Sequence, residues 1–300
     1  AAAAAAAEMD GPDDVSMLDT SLEDIDAEDR DYPEYCSEYV KEIFEHLREK
    51  EVRDHIGCGA IAAQVDLNES MYSTLLSWCV GVHMEFRLLS ETLFLSADII
   101  NRFLAKRQVP RQRLQLVAIA AMLVASKTEE TVAPYSSDFC YMAAMAFTKD
   151  QVLEMENVIL DALDFHVVVA TPLHFLRRFS KAARSDPRLH TLCKYFIELT
   201  IPEYSMQRFL PSKIAASAVF LARQMARKSP SWNSTLEYYT AYSEADLQEC
   251  VAALIAILKH ECVQKKPSPV TTKYSRRALF SIAPIALKYW KQVLSRSQMN

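Results

Sequence analysis

Chemistry in a folded chain needs polar side chains that converge, and this sequence offers few sets that could. Its seven histidines, His46, His55, His83, His166, His174, His190 and His260, never fall in an HxxxH or HExxH ligand pattern. The seven cysteines show no CxxC or other regular spacing and read as reduced, packed thiols. There is no GxSxG elbow, and 4 glycines in 300 residues argue against a glycine-lined phosphate loop. Glu129-Glu130 and Glu154/Glu156 have the residue types for acid–base work, but a helix end and a helix face suit surface or structural roles better. The sequence therefore predicts no catalytic residue, no metal and no cofactor. It does deliver Lys127, with Glu129-Glu130 close behind, at the end of the apolar stretch LQLVAIAAMLVASK, Leu114 to Lys127.

That stretch dictates its surroundings. From Leu116 to Val124 every side chain is apolar, and at 3.6 residues per turn these positions cover the whole circumference, so other helices must enclose it. Ala118, Ala121 and Ala125 fall within a narrow arc and let a neighbouring axis approach closely. The run is too short to cross a bilayer. The same arc returns as Ala215, Ala218 and Ala222 in KIAASAVFLA, and the stripe Thr148, Val152, Met155, Ile159, Leu163 returns as Ser243, Leu247, Cys250, Leu254, Leu258. Capping residues punctuate the chain: Asn68, Ser90, Pro110, Pro134 and Thr148 with Gln151 open five helices, and Thr171-Pro172 starts a second series of five. The reading is all-α, two five-helix domains in tandem, each around a small-residue central helix.

Outside the repeats, an amphipathic helix is expected from about Tyr35 to Arg53, and a C-terminal one from Ala283 to Leu294. Between Glu8 and Glu34 stand twelve acids and one base, net −11, which leaves the rest of the −6 chain at +5. So acidic a segment cannot offset its ordering entropy and is predicted to be disordered, behind an alanine run (Ala1 to Ala7) that looks like a placeholder. The expected division is 1–34, acidic segment; 35–67, N-terminal helix and linker; 68–168 and 169–266, the two repeats; 267–300, a tail with a helix. No signal peptide or membrane span is visible, which points to the nucleus or cytoplasm.

The pieces MYSTLLSW (Met71 to Trp78), ETL (Glu91 to Leu93), NRFL (Asn101 to Leu104), LQLV (Leu114 to Val117), ASKTEE (Ala125 to Glu130) and ME (Met155-Glu156) stand in an order that resembles the A/B-type mitotic cyclins, with YVKEIFEHLRE and PSKIAA most like B-type members. The resemblance runs from about Tyr39 to Cys262. It implies two cyclin boxes in a non-catalytic cell-cycle subunit that forms a heterodimer with a cyclin-dependent kinase and activates it. By that resemblance Lys127 and Glu156 grip main chain near the kinase αC helix, Phe165 and Val167 add apolar contacts, and Ile43 and Leu47 of the N-terminal helix also touch the kinase. It further implies a patch of Met71, Leu75, Trp78, Arg111 and Gln115 that docks substrates or inhibitors carrying Arg-x-Leu motifs.

The residues support part of this independently. Apolar positions on the Met71 helix span about 200°, twice the arc that one core face needs. The patch departs from the family where Ser77 and Gly81 replace acids and Thr74 replaces Ile; Tyr72 and Asn101 stand where the family has a buried Arg–Asp pair. The same fold serves transcription factor IIB and retinoblastoma-type pockets, so a nucleic-acid- or peptide-binding module is the alternative. Scattered bases and the lack of a zinc ribbon speak against nucleic acid as a partner.

Overall fold

A computed structural model of the chain describes residues 22–297. Helix α1 (Val40–Asp54) and the one-turn α2 (Gly59–Ala62) precede a first bundle of α3 (Glu69–Phe86), α4 (Ser90–Lys106), α5 (Leu114–Glu129), α6 (Ser136–Met142) and α7 (Lys149–Ala162). The second bundle is α8 (Pro172–Ala182), α9 (Pro187–Leu199), α10 (Pro211–Met225), α11 (Ser234–Thr240) and α12 (Glu244–Val263), followed by α13 (Pro269–Tyr274) and α14 (Ile282–Ser297). No strand occurs among the described residues.

The two small-residue helices are the axes of the bundles. Ala118, Ala121 and Ala125 of α5 and Ala215, Ala218 and Ala222 of α10 are all fully buried. α5 packs against α3, α4, α6 and α7, and α10 against α8, α9 and α12. Three of the signalled caps hold: Asn68 accepts from the Met71 N–H at 3.0 Å, Thr148 and Gln151 close a capping box, and Ser243 does the same with Asp246.

Ser90 does not cap α4, which starts one residue earlier than its sequence suggests. Its hydroxyl donates instead to Glu198 of α9, at 3.0 Å. Glu198 is fully buried at the seam of the two bundles, where it also accepts from Lys273 at 2.6 Å and from the Tyr274 hydroxyl at 2.7 Å, both on α13. The Lys273 ammonium lies 2.9 Å from His83 Nε2 of α3, so one carboxylate joins α3, α4, α9 and α13. Burial pushes the Glu198 carboxyl up, but Lys273, His83 and Tyr274 outweigh it and hold the group below the usual carboxylate range. α13 carries no long apolar period, and the sequence does not announce it.

The acidic segment is the larger departure. Ala1 to Ala7, and the rest of the stretch up to residue 21, lie outside the described residues; from Glu23 to Asp29, within the segment where disorder is expected, the chain instead lies against the second bundle with Ile25 and Asp26 buried. Two short 3-10 turns, Ala27–Asp29 and Pro33–Tyr35, lead into α1, which begins at Val40 and not at Tyr35. The C-terminal helix extends beyond the predicted span, from Ile282 to Ser297, and packs on α9 and α12.

Candidate functional site

Lys127 emerges in the last turn of α5, directly after buried Ser126, where a cation also suits the helix dipole. Its ammonium bonds Glu156 Oε1 of α7 at 2.6 Å. The two are not equivalent: the lysine side chain is 49% exposed and the glutamate 11%. Glu156 is therefore a nearly buried carboxylate and not the exposed helix-face residue that its position in the sequence suggests. Of the following acids, Glu130 is structural, accepting the Leu89 N–H at 2.7 Å and the Thr92 hydroxyl at the start of α4. Burial, with Glu91 and Glu130 nearby, raises the carboxyl of Glu129.

Just past α7, Asp164 and Phe165 both take left-handed backbone, φ 51° and 57°, which turns the chain sharply. Phe165 is left 68% exposed, while Val167 packs half-buried on the core. Sequence reasoning misses the brace behind them: Arg102 of α4 donates to the carbonyls of His166 and Val167 at 2.6 and 2.9 Å, and Asp98 holds its Nε at 2.6 Å. An Asp and an Arg at i and i+4 read as a routine helix pair, and only the loop reaching them reveals the role. Asp54, at the end of α1, meets His166 Nε2 at 3.0 Å and ties that helix to the same loop. On α1 itself Ile43 is 43% exposed and Leu47 is half-buried against the core. The site thus unites the end of α5, the middle of α7 and the loop that follows α7, which α4 and α1 hold in place.

A second feature is a groove of about 440 Å³ between α3 and the start of α5. Met71, Leu75 and Trp78 line it with Arg111 and Gln115, as the sequence suggests; Ser70, Thr74 and Leu114 join them. Leu75 is buried as its floor, whereas Met71 and Trp78 are only partly covered. No acid is among its lining residues. The nearby Asp66 carboxylate is engaged by the Arg111 backbone N–H at 2.8 Å. Below the groove, Tyr72 is buried and its hydroxyl accepts from Gln207 of the second bundle at 3.1 Å, while the buried Asn101 keeps its side-chain oxygen without a partner. The Tyr72 hydroxyl thus joins the two bundles through Gln207 while keeping a side-chain hydrogen bond to Asn101 within its own bundle.

Among the described residues no three His, Cys, Asp or Glu side chains gather to hold a metal, and no helix is long and apolar enough to cross a membrane. The features that remain are surfaces, and comparison with known proteins says whose they are. The family model described as "Cyclin, N-terminal domain" matches residues 42–168, and "Cyclin, C-terminal domain" matches residues 170–286. The chain belongs to the cyclin family. This cyclin is 46% identical over 264 residues to the G2/mitotic-specific cyclin-B of Dictyostelium discoideum, covering 88% of the chain but 60% of that protein. It is 40% identical over 287 residues to the human G2/mitotic-specific cyclin-B2, covering 91% of the chain and 72% of that relative. A viral cyclin from herpesvirus saimiri superimposes with a TM-score of 0.66 over 72% of this chain and 96% of its own, at 19% identity, which shows the shared fold. The cyclin therefore has two tandem all-α boxes, is of the mitotic type, and belongs to a family of regulatory, non-enzymatic chains.

Proposed function

We propose that this cyclin binds a cyclin-dependent kinase as a heterodimeric partner and activates it by fixing the kinase αC helix and activation loop. The supporting observation is the Lys127–Glu156 pair, which joins the end of α5 to the middle of α7 at 2.6 Å, with an exposed Phe165 just past the end of α7. Such an arrangement offers a cation, an anion and an apolar knob to one segment of a partner. An isolated kinase populates its active arrangement poorly, and turning a 1:99 population into 99:1 needs a partner that prefers the active state by about 5.5 kcal/mol. A rigid helical surface burying on the order of 2,000 Å² can supply that. In this reading Lys127 and Glu156 bond kinase main chain, Phe165, Val167, Ile43 and Leu47 form the apolar part of the interface, and the Met71, Leu75, Trp78, Arg111 and Gln115 groove docks Arg-x-Leu motifs of substrates or inhibitors. The boundaries 35–67, 68–168, 169–266 and 267–300, and residence in the nucleus or cytoplasm, are parts of the same proposal. The test is phosphorylation of a histone-type substrate with cyclin alone, purified cyclin-dependent kinases alone, and mixtures. A rise of orders of magnitude on mixing is expected; no rise with any such kinase refutes the reading.

A further inference from the structure

We infer that residues Glu23 to Asp29 form an acidic strap whose docking on the second box positions the N-terminal half of α1, the half that carries Ile43 and Leu47. The strap reads the surface by charge, by one apolar anchor and by its backbone. Asp26 accepts a two-pronged bond from Arg178 of α8, at 2.6 and 2.7 Å, with side chains 12% and 7% exposed. Lys181 bonds both Asp26 and Asp29, and Arg184 bonds Glu23, so acids three residues apart meet three bases along and just past α8. Ile25 is buried between them, its N–H donating to the Tyr239 hydroxyl of α11, which in turn donates to the Glu23 carbonyl.

The link to α1 runs through Arg178. Its guanidinium carbon lies 5.3 Å from the centre of the Phe44 ring on α1 and 5.1 Å from that of Tyr239, with the Asp26 carboxylate satisfying its edge. Without Asp26 a nearly buried cation would keep only ring faces, and its escape toward water would remove one of Phe44's two ring supports, leaving the edge contact with Phe175 at 6.3 Å. The other half of α1 has separate anchors. Arg48 lies over Phe175, Phe179 and Tyr242, and buried Glu51 accepts the Ser212 N–H at 2.8 Å at the start of α10. Loss of the strap should therefore loosen residues 40–47 and spare 48–54.

Hydrogen exchange of the whole chain, read by mass spectrometry, decides it. In Asp26→Asn, amide exchange in the first half of α1 should rise at least about tenfold while the second half stays unchanged. Ile25→Ala, which strands no charge, should give the same pattern more weakly, and Glu23→Gln, at the exposed outer pair, should give little. Exchange that rises in the strap but not in α1 overturns the inference. The consequence for kinase binding rests on the proposed function: Asp26→Asn should weaken affinity several-fold, and an unchanged affinity with a loosened α1 removes that consequence. If no kinase binds the unaltered chain at all, the proposed function fails while the exchange result still judges the strap.

Discussion

Replacing Lys127 and Glu156 by alanine, singly and together, separates what the pair does for the fold from what it does for a partner. The two exposures make the stability effects unequal. Lys127→Ala leaves a carboxylate only 11% exposed without the ammonium that satisfies it, and should cost about 1–2 kcal/mol, below the 3–5 of a fully buried pair because one edge still meets water. Glu156→Ala leaves an ammonium that is half exposed and can turn to solvent, so its cost should stay near 0.5 kcal/mol or less. The double variant should lose less than the sum, with a coupling of about 1 kcal/mol, because the stranded carboxylate disappears with its partner. Toward the kinase the order differs. Each single change should weaken binding by about 2 kcal/mol, close to 30-fold, since each strands a kinase main-chain group. Urea denaturation of all four proteins at one neutral pH, and calorimetric titration of the same four with the kinase, measure both. Equal stability costs for the two single variants, or losses that add fully, would refute the buried-carboxylate reasoning. Variants that denature early yet bind normally once folded would assign the pair to structure alone.

Two further predictions address the groove and the seam. Trp78→Ala should weaken phosphorylation of substrates carrying Arg-x-Leu motifs, by about 2 kcal/mol in docking, and spare a short peptide with only the phosphorylation site; equal loss on both would make Trp78 a core residue. Because Ser77 and Gly81 are uncharged and no acid lines the groove, that docking should also depend weakly on salt. At the seam, burial and the Lys273 charge push the His83 imidazole down to about 4 from 6.5. The unfolded chain then takes up a proton near 6.5 that the folded one refuses until about 4, so His83 removes stability as pH falls through that window, roughly 2 kcal/mol near pH 5. His83→Gln should flatten this part of the curve, leaving the contributions of His55, His174 and His190, which burial also pushes down. A curve of the same steepness in the variant would show that the seam takes up protons elsewhere.

The sequence by itself determined the helical architecture, because its signals are local. An all-round apolar run with alanines in one arc must become an enclosed axis, and it recurs as α5 and α10. The caps at Asn68, Thr148 and Ser243 act within three residues of themselves and were legible for the same reason. The resemblance located Lys127, Glu156 and Phe165, but their exposures followed only from how α5 and α7 meet. What tertiary structure decided are contests between partners far apart in the chain. Ser90 had both the type and the place of a cap, yet a carboxylate 108 residues away takes its hydroxyl. Asp26 lies in a segment whose composition favours disorder, yet Arg178, 152 residues on, neutralises it in a buried two-pronged bond. Composition measures what a segment can bury by itself; it is blind to a cation waiting on another surface, and a carboxylate's environment is settled only when the surfaces that compete for it have come together.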